Sequence, residues 1–289
     1  MTETARAYTK RLLKQSPRIR KEFGQNFLID DDVIAAIVDQ VPAKVPLLEI
    51  GAGLGVMTQH FLDRNQEFWA IELDRDKARL LDNEFRGRPV TLLTGDALKT
   101  SLAQLWPERR GWVVGNLPYY ITNPLIMHFL GQNNHLEAMT IMVQKEVAAR
   151  ICANPGSKDY GVLSIAVQAS ARAVTLFDVP PEAFIPAPKV MSTVLSLHIR
   201  PHPDLTAADE GAFFRVVKAA FSSRRKMLAN TLAAGLSMDK NDVLLGLRRA
   251  GIDPTKRPEA LSIAEFQQVA QHVAACSRQK SEVSPQKPE

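Results

Sequence analysis

The fold is decided by one stretch, Leu47-Leu48-Glu49-Ile50-Gly51-Ala52-Gly53-Leu54-Gly55. Its first four residues suit a buried strand, its glycines suit a turn, and the apolar spacing that follows predicts a helix. Glycines allow a backbone to turn tightly and to approach a ligand closely. Strand, glycine turn and helix in this order are typical of α/β folds that bind a nucleotide, although many glycine-rich turns are only turns.

Strands and helices alternate around this turn, which predicts βαβ units and a parallel sheet. The predicted parallel strands are 45–50, 68–73, 90–93, 112–115 and 139–143, and the predicted helices are 30–40, 56–65, 76–85, 123–130 and 161–170. Two further strands, 173–178 and 194–200, are joined by a proline-rich connection that is too extended for a helix. They therefore predict an antiparallel pair at one edge of the sheet.

Three other parts flank this α/β domain, which we place at residues 23–203. Residues 1–22 are expected to form a flexible basic arm, 204–276 a small all-helical domain, and 277–289 a disordered tail. Within the helical domain, the expected helices are 209–221, 224–236, 242–250 and 263–276. A length of 289 residues fits two domains of ordinary size.

The charge of the chain is unevenly distributed. Residues 1–30 carry seven Lys and Arg against three Asp and Glu, and residues 201–289 carry 13 against ten. The middle of the chain is slightly acidic, with 16 against 18. Basic ends of this kind indicate a polyanionic partner such as a nucleic acid, with a merely solvated surface as the alternative.

Other features argue against several classes of protein. No apolar run reaches the roughly 18–20 residues that span a bilayer, and the basic N-terminus lacks the apolar stretch of a secretory signal. Cys152 and Cys276 have no partner spacing for a disulfide framework or a zinc motif, and the six histidines show no ligand spacing. We therefore expect a cytoplasmic protein with no membrane segment and no metal.

Carboxylates accompany the ends of the first three predicted strands. Glu72 stands about 20 residues after the glycine turn, where doubly wound folds present an acid to ribose hydroxyls. Asp96 follows the next strand, over the same crevice, although either acid alone could be a helix cap or a solvated loop residue. Glu49, just before the first glycine, would repel a pyrophosphate. These acids favour S-adenosylmethionine, which carries a sulfonium and an ammonium, over a nicotinamide cofactor.

The fourth strand ends in Gly115-Asn116-Leu117-Pro118-Tyr119-Tyr120. The Asn116 side-chain carbonyl and the Leu117 backbone carbonyl could accept hydrogen bonds from the exocyclic amine of adenine. Such bonds would draw the nitrogen toward a tetrahedral shape and free its lone pair for attack. Pro118 would stiffen this turn, and Tyr119 offers a face on which a splayed base could stack, worth roughly 1–3 kcal/mol. The alternative is a turn that only caps the next helix.

Together these motifs resemble the ribosomal RNA adenine N6,N6-dimethyltransferases, most closely those that act on bacterial small-subunit RNA, and the resemblance covers about residues 18–266. The matching segments are Phe23-Gly24-Gln25-Asn26-Phe27-Leu28, the glycine turn, Ile71-Glu72-Leu73-Asp74, Gly95-Asp96-Ala97, Asn116-Leu117-Pro118-Tyr119, Gln144-Lys145-Glu146-Val147, Tyr160-Gly161, Ala183-Phe184-Ile185-Pro186-Ala187-Pro188-Lys189-Val190 and Phe221-Ser222-Ser223-Arg224-Arg225-Lys226. The family usually has proline where this chain has Ala52, but either residue fits such a turn.

The resemblance implies a Rossmann-like class I S-adenosylmethionine-dependent methyltransferase sheet, followed by a helical RNA-binding domain. It implies methyl transfer from S-adenosylmethionine to N6 of two adjacent adenines in the 3′-terminal hairpin loop of small-subunit (16S) rRNA. The products would be N6,N6-dimethyladenosines, made during ribosome biogenesis. The implied partner is this RNA within immature 30S subunits, and we expect the enzyme to be a monomer.

The resemblance also implies roles for individual residues. The implied S-adenosylmethionine contacts are Asn26, Leu28, Glu49, Gly51, Gly53, Glu72, Asp96, Ala97 and Asn116. In the implied acceptor site, Asn116 and Leu117 hold the amine, while Tyr119 and Phe184 sandwich the target base. Without the resemblance, Phe184 on its proline-rich loop could equally be a core residue.

An adenine paired in a helix cannot reach such a site, so the target must be single-stranded or flipped out. Arg224, Arg225 and Lys226 resemble the family's contacts to the RNA backbone, with a solvated helix face as the alternative. A second candidate is the arm, through Lys10, Arg11, Lys14, Arg18, Arg20 and Lys21.

Three other functions stay open at this point. The first is a related enzyme that acts on large-subunit RNA and confers macrolide resistance. The second is a ribosome-assembly checkpoint whose binding, rather than its methylation, matters. The third is a small-molecule methyltransferase, which would leave both basic ends of the chain unexplained.

Overall fold

The computed structural model describes residues 3–16, 18–20, 23–62, 64, 67–200, 207–223 and 226–282. The chain forms two compact units, one from residues 1–148 and 171–200 and the other from residues 149–170 and 201–289. The predicted boundary near residue 203 is therefore wrong for residues 149–170. This segment belongs to the helical unit because Tyr160 and Ile165 are buried in that unit's core.

The first unit is built on a mixed sheet. Its strands, in chain order, are β1 (Phe27–Leu28), β2 (Leu47–Ile50), β3 (Phe68–Glu72), β4 (Thr91–Thr94), β5 (Gly111–Asn116), β6 (Leu136–Gln144), β7 (Ala171–Val179), β8 (Phe184–Ile185) and β9 (Ser192–Ile199). The main sheet has the order β4-β3-β2-β5-β6-β9-β7. Strands β2 to β6 pair in parallel, whereas β9 pairs antiparallel with both β6 and β7. This confirms the predicted parallel sheet and its antiparallel edge.

The helices surround this sheet or form the second unit. They are α1 (Ala5–Gln15), α2 (Asp31–Asp39), α3 (Thr58–Phe61), α4 (Arg75–Glu84), α5 (Leu102–Leu105), α6 (Thr122–Leu130), α7 (Lys145–Ile151), α8 (Val162–Ser170), α9 (Ala207–Ala220), α10 (Leu228–Leu236), α11 (Lys240–Arg249) and α12 (Ile263–Glu282). No helix in the described part of the chain is both long and apolar enough to cross a bilayer.

The order of the strands determines where a ligand can bind. From β2 the chain continues to β3 and β4 on one side, and then crosses to β5 on the other side of β2. All four residues of β2 are buried, as expected of a central parallel strand covered on both faces. A crevice forms outside the carboxyl ends of the strands where the order reverses, here between β2 and β5.

The start of the chain differs from the predicted flexible arm. Residues 5–15 form α1, and the side chain of Thr4 caps its first turn by accepting a hydrogen bond from the Ala7 amide. Tyr8 and Leu12 are buried in the same apolar cluster as Phe61 of α3. Basic residues dominate the exposed face of α1. The high charge of the segment suggests a flexible arm, although its apolar residues form one face of a helix.

The second unit is helical, as predicted, but two of its boundaries differ. Helix α10 begins at Leu228, so Lys226 precedes the helix that it was expected to open. Helix α12 continues to Glu282, past the predicted start of the tail at residue 277, because Arg, Gln, Lys and Glu are good helix formers despite being polar. Lys21, Arg224, Arg225 and the tail from residue 283 lie outside the described residues.

Candidate active site

The glycine turn lies at the carboxyl end of β2, beside the crevice. Gly51 and Gly53 have φ values of 69° and 60°, in the left-handed region that other residues rarely adopt. A side chain on Gly53 would also come within 3.2 Å of the Phe27 ring. Both glycines are therefore required for the backbone to follow this path.

The carboxylate of Glu72 is fixed between the glycine turn and the end of its own strand. One oxygen accepts a hydrogen bond from the Gly53 amide at 2.7 Å, and the other accepts one from the Asp74 amide at 2.8 Å. Burial raises the pKa of Glu72, and these backbone hydrogen bonds oppose that rise. The side chain is 8% exposed and lines the cleft, so its remaining lone pairs can accept hydrogen bonds from sugar hydroxyls.

Asp96 caps a short helix and also lines the cleft. Its Oδ1 accepts a hydrogen bond from the Leu98 amide at 3.0 Å and so caps the 3-10 helix at Ala97–Lys99. Asp96 and Ala97 also line the same cleft as Glu72. A cap needs one carboxylate oxygen, which leaves Oδ2 available as an acceptor for a ligand amine.

Asn116, at the end of β5, has a defined amide orientation. Its Nδ2 donates a hydrogen bond to the backbone carbonyl of Asn26 at 2.9 Å. Its Oδ1 is therefore the atom left to accept a hydrogen bond, as the acceptor hypothesis requires. The next residue, Leu117, has a buried side chain, and its amide donates to the Met142 carbonyl at 3.1 Å.

The aromatic residues do not form the open pair that the sequence analysis described. Tyr119 is half-buried, and its hydroxyl shares a hydrogen bond of 2.6 Å with Ser192 Oγ. Phe184 is only 3% exposed, because β8 pairs with β1 and places Phe184 opposite Leu28 in the apolar core. Tyr120 lines the cleft instead and is 57% exposed.

A single cleft is lined by most of the residues that the sequence predicts to bind the methyl donor. It encloses about 710 Å³, a volume that includes the open solvent at its mouth. A smaller pocket shares Asn26, Gly51, Gly53 and Asn116 with this cleft and adds Leu28 and Glu49. The lining also includes five residues that the sequence did not predict as site residues: Phe23, Gln25, Tyr120, Ile121 and Leu125. Phe23, Gln25 and Tyr120 lie in or beside the quoted motifs, and the other two are one helical turn apart at the start of α6.

Glu49 lies at the buried end of this pair of pockets. Its Oε2 accepts a hydrogen bond from the Thr58 hydroxyl at 2.6 Å. The pKa of Glu49 is raised to about 8. Burial is the largest cause, the Thr58 hydrogen bond lowers the pKa, and the negative charge of Glu72 raises it. The carboxyl group is therefore mostly protonated at neutral pH until a cation lies beside it.

The described residues contain no group of three or more His, Cys, Asp or Glu side chains that could hold a metal ion. The polar side chains of the cleft are the carboxylates of Glu72 and Asp96, the hydroxyl of Tyr120, and the amides of Asn26, Gln25 and Asn116. Such a set can bind hydroxyl and amine groups and orient them.

The sequence predicts that Glu72 binds the ribose of S-adenosylmethionine. On this assignment, replacing Glu72 with glutamine should weaken the binding of S-adenosylmethionine at least about tenfold, the effect of losing a hydrogen bond to a charged group. A glutamine amide nitrogen cannot accept a hydrogen bond, so one of the two backbone bonds that fix this side chain is also lost. Isothermal titration calorimetry measures the change. The matched control is Glu67→Gln, because Glu67 immediately precedes the same strand, is exposed and pairs with Arg109 away from the cleft. Equal affinities for wild type and Glu72→Gln would contradict this assignment.

Known proteins resemble this chain along most of its length. The family model described as "Ribosomal RNA adenine dimethylase" matches residues 16–275. The chain is 51% identical over 273 residues to the ribosomal RNA small subunit methyltransferase A of Desulfitobacterium hafniense, and the alignment covers 94% of this chain and 98% of that relative.

Two solved structures share the fold. A dimethyladenosine transferase from Plasmodium falciparum superposes with a TM-score of 0.74 at 23% identity, covering 86% of this chain and 98% of that one. The 23S rRNA methyltransferase ErmE superposes with a TM-score of 0.65 at 23% identity, covering 86% and 100%. At this identity the likeness shows the fold alone, and it confirms the predicted class I methyltransferase sheet.

Proposed function

Because this chain belongs to the ribosomal RNA adenine dimethylase family, we propose that it methylates N6 of two adjacent adenines in the 3′-terminal hairpin loop of 16S rRNA. S-adenosylmethionine is the methyl donor, and the product is a pair of N6,N6-dimethyladenosines. The observation that carries this proposal is the orientation of the Asn116 amide. Its Nδ2 is engaged by the Asn26 carbonyl, which leaves Oδ1 to accept from an amine beside the glycine turn.

The residues of the cleft suit the groups of S-adenosylmethionine. When bound, this donor supplies an electrophilic methyl carbon on a sulfonium. Glu72 accepts hydrogen bonds from the ribose hydroxyls, and the second oxygen of Asp96 accepts one from the adenine amine of the donor. Glu49, in the adjoining pocket, lies near the methionine end and becomes ionised there as the ammonium group stabilises its charge. Gly51 and Gly53 allow the backbone to approach the donor closely.

The acceptor side requires placement rather than a general base. Asn116 Oδ1 and the Leu117 carbonyl accept the two N–H groups of the target amine, which directs its lone pair toward the methyl carbon. The amine loses its proton to solvent only after the new bond has formed. Tyr119 and Phe184 stack on the flipped base. Phe184 is 3% exposed in this structure, so we expect its side chain to move when the base enters.

The proposed substrate is small-subunit rather than large-subunit RNA. The 51% identity to a small-subunit methyltransferase supports this choice, whereas the likeness to ErmE concerns the fold. Lys226 is exposed before α10, and with Arg224 and Arg225 it contacts the RNA backbone. The enzyme works as a monomer on immature 30S subunits, which places it in the cytoplasm.

The direct test uses 30S and 50S subunits from cells that lack these modifications. Each is incubated with the protein and isotope-labelled S-adenosylmethionine, and the RNA is digested and analysed by mass spectrometry. We expect two labelled N6,N6-dimethyladenosines, both in the 3′-terminal hairpin of the 30S RNA. Label in the 50S RNA, or on a base other than adenine, would overturn the proposal.

A further inference from the structure

One wall of the cleft comes from a segment near the start of the chain. We call residues 16, 18–20 and 23–27 the strap. Its last part, residues 23–27, lines the cleft, and the carbonyl of Asn26 within it accepts the hydrogen bond that orients Asn116. The strap therefore contributes to both the donor side and the acceptor side of the site.

The strap is held against α4 by a buried lysine. The side chain of Lys77 is 0% exposed. Its Nζ donates to the Ser16 carbonyl at 2.6 Å, to the Ser16 hydroxyl at 3.0 Å and to the Arg18 carbonyl at 3.2 Å. An ammonium has three donors, and all three are thus directed at the strap. The same Nζ lies 5.8 Å from the centre of the Phe27 ring.

Asp74 connects the strap to Glu72, the side chain that we propose binds the ribose of S-adenosylmethionine. Its Oδ2 accepts a hydrogen bond from Gln25 Nε2 at 2.9 Å and pairs with Arg20 Nε at 3.3 Å. The backbone amide of Asp74 holds Glu72. Asp74 is itself buried and lies three residues before Lys77, so the buried cation and the buried anion face the strap together.

A charged lysine in this position carries an energetic penalty. Burial lowers the pKa of Lys77, and the nearby negative charges of Asp74, Glu72 and Asp76 oppose that effect. Apolar replacements for buried ions are often neutral or stabilising, so stability alone does not explain a lysine here. What an apolar side chain could not do is bind two carbonyls and a hydroxyl of the strap.

We propose that Lys77 is a positioning residue that fixes the strap, and through the Asn26 carbonyl sets the orientation of the Asn116 amide. This inference rests on the proposed function for its effect on methylation, but not for its effect on the strap. Lys77 lies outside the lining of the cleft and acts only through the residues it holds.

The test replaces Lys77 with methionine, which keeps an unbranched apolar stem as far as Cε but removes the ammonium group and its three donors. The matched control is Arg79→Met, because Arg79 lies on the same helix and is exposed. Hydrogen–deuterium exchange measures the backbone amides of residues 23–28 without any donor present. We expect exchange there to become at least about tenfold faster in Lys77→Met, with β2, β3 and α4 unchanged, and no change in Arg79→Met.

Measurements of S-adenosylmethionine binding and of methylation kinetics then distinguish a failure of the role of Lys77 from a failure of the proposed function. In Lys77→Met we expect the Kd for S-adenosylmethionine to rise about tenfold or more and kcat to fall, with the KM for RNA unchanged. Unaltered exchange of residues 23–28 would overturn the role of Lys77. Failure of the wild-type protein to bind S-adenosylmethionine would overturn the proposed function instead.

If Lys77→Met does not fold, Ser16→Ala tests the same contact from the strap, because it removes the hydroxyl that accepts from Lys77 Nζ at 3.0 Å. Unchanged exchange of residues 23–28 in Ser16→Ala would contradict the role of Lys77. Gln25→Leu tests the second attachment of the strap, which is the contact with Asp74. Gln25 lies on the strap and is half-buried, so its replacement leaves the domain core intact. The leucine cannot donate a hydrogen bond to Asp74, and it cannot accept the hydrogen bond that the Arg20 amide donates to Gln25 Oε1. Faster exchange at residues 23–28 supports the attachment of the strap to α4, and unchanged exchange in this variant contradicts it.

Discussion

In an Asn116→Ala variant, we expect kcat for methyl transfer to fall by about 100- to 1000-fold, as when one preorganised hydrogen-bonding group is removed from an active site. The physical reason is that Oδ1 of Asn116 no longer draws the amine nitrogen toward a tetrahedral shape. The measurement is the rate of N6,N6-dimethyladenosine formation at saturating donor and 30S substrate. A suitable control is Asn123→Ala, since Asn123 is exposed on the following helix.

The same variant separates catalysis from binding. Asn116 contributes a small part of the surface that an RNA would touch, so we expect Asn116→Ala to bind immature 30S subunits as tightly as wild type. Binding without methylation would leave room for a role of the protein in subunit assembly. A rate within about threefold of wild type would show that Asn116 does not activate the amine.

In a Glu49→Gln variant, we expect the protein to become more stable at high pH and to bind S-adenosylmethionine more weakly. Burial raises the pKa of this carboxyl from 4.5 to about 8 in the folded protein. At pH values between 4.5 and about 8, Glu49 keeps its proton in the folded state but has lost it in the unfolded state. The free energy of unfolding of the wild type therefore falls with rising pH, at up to about 1.4 kcal/mol per pH unit. Above about pH 8 this contribution is fully lost.

A Glu49→Gln variant has no proton to lose at this position, and the glutamine oxygen can still accept the Thr58 hydrogen bond. We expect its free energy of unfolding to match that of the wild type near pH 4.5 and to exceed it by a few kcal/mol above pH 8. Urea denaturation at a series of pH values measures the difference. The control is Glu137→Gln, at an exposed position of β6. Parallel pH profiles for Glu49→Gln and wild type would show that the buried carboxyl is not the cause.

Donor affinity should change in the opposite direction in Glu49→Gln. A glutamine cannot become negatively charged beside the methionine ammonium, so we expect the Kd for S-adenosylmethionine to rise at least about tenfold. In the wild type, the affinity should increase as the pH rises toward 8, because less work is then needed to ionise Glu49. Calorimetry in two buffers of different ionisation enthalpy would detect the proton released on binding.

Much of this site could be predicted because its residues stand at the ends of parallel strands. The carboxyl ends of β2, β3, β4 and β5 meet at one edge of the sheet, so alternating patterns of strand and helix suffice to bring their side chains together. Glu72, Asp96 and Asn116 were found in this way, and the structure places all three in one cleft. The antiparallel edge followed from a connection too proline-rich for a helix.

The parts that could not be predicted depend on contacts distant in sequence. The pairing of β1 with β8 involves two residues on each side, which is too short for any periodicity to show. It is this pairing that buries Phe184. Lys77 lies in a helix whose polar composition suggests exposure. Its burial is tolerable because its Nζ donates to the Ser16 carbonyl and hydroxyl and to the Arg18 carbonyl, and because carboxylates lie nearby.

The most direct test of the central claim is a crystal structure of the protein with S-adenosylmethionine bound. We expect the ribose hydroxyls on Glu72, the adenine amine on Asp96, and the sulfonium methyl facing Asn116 Oδ1 across a gap that admits one amine nitrogen. A donor bound in this cleft with its methyl group directed away from Asn116, or bound outside the cleft, would contradict the account.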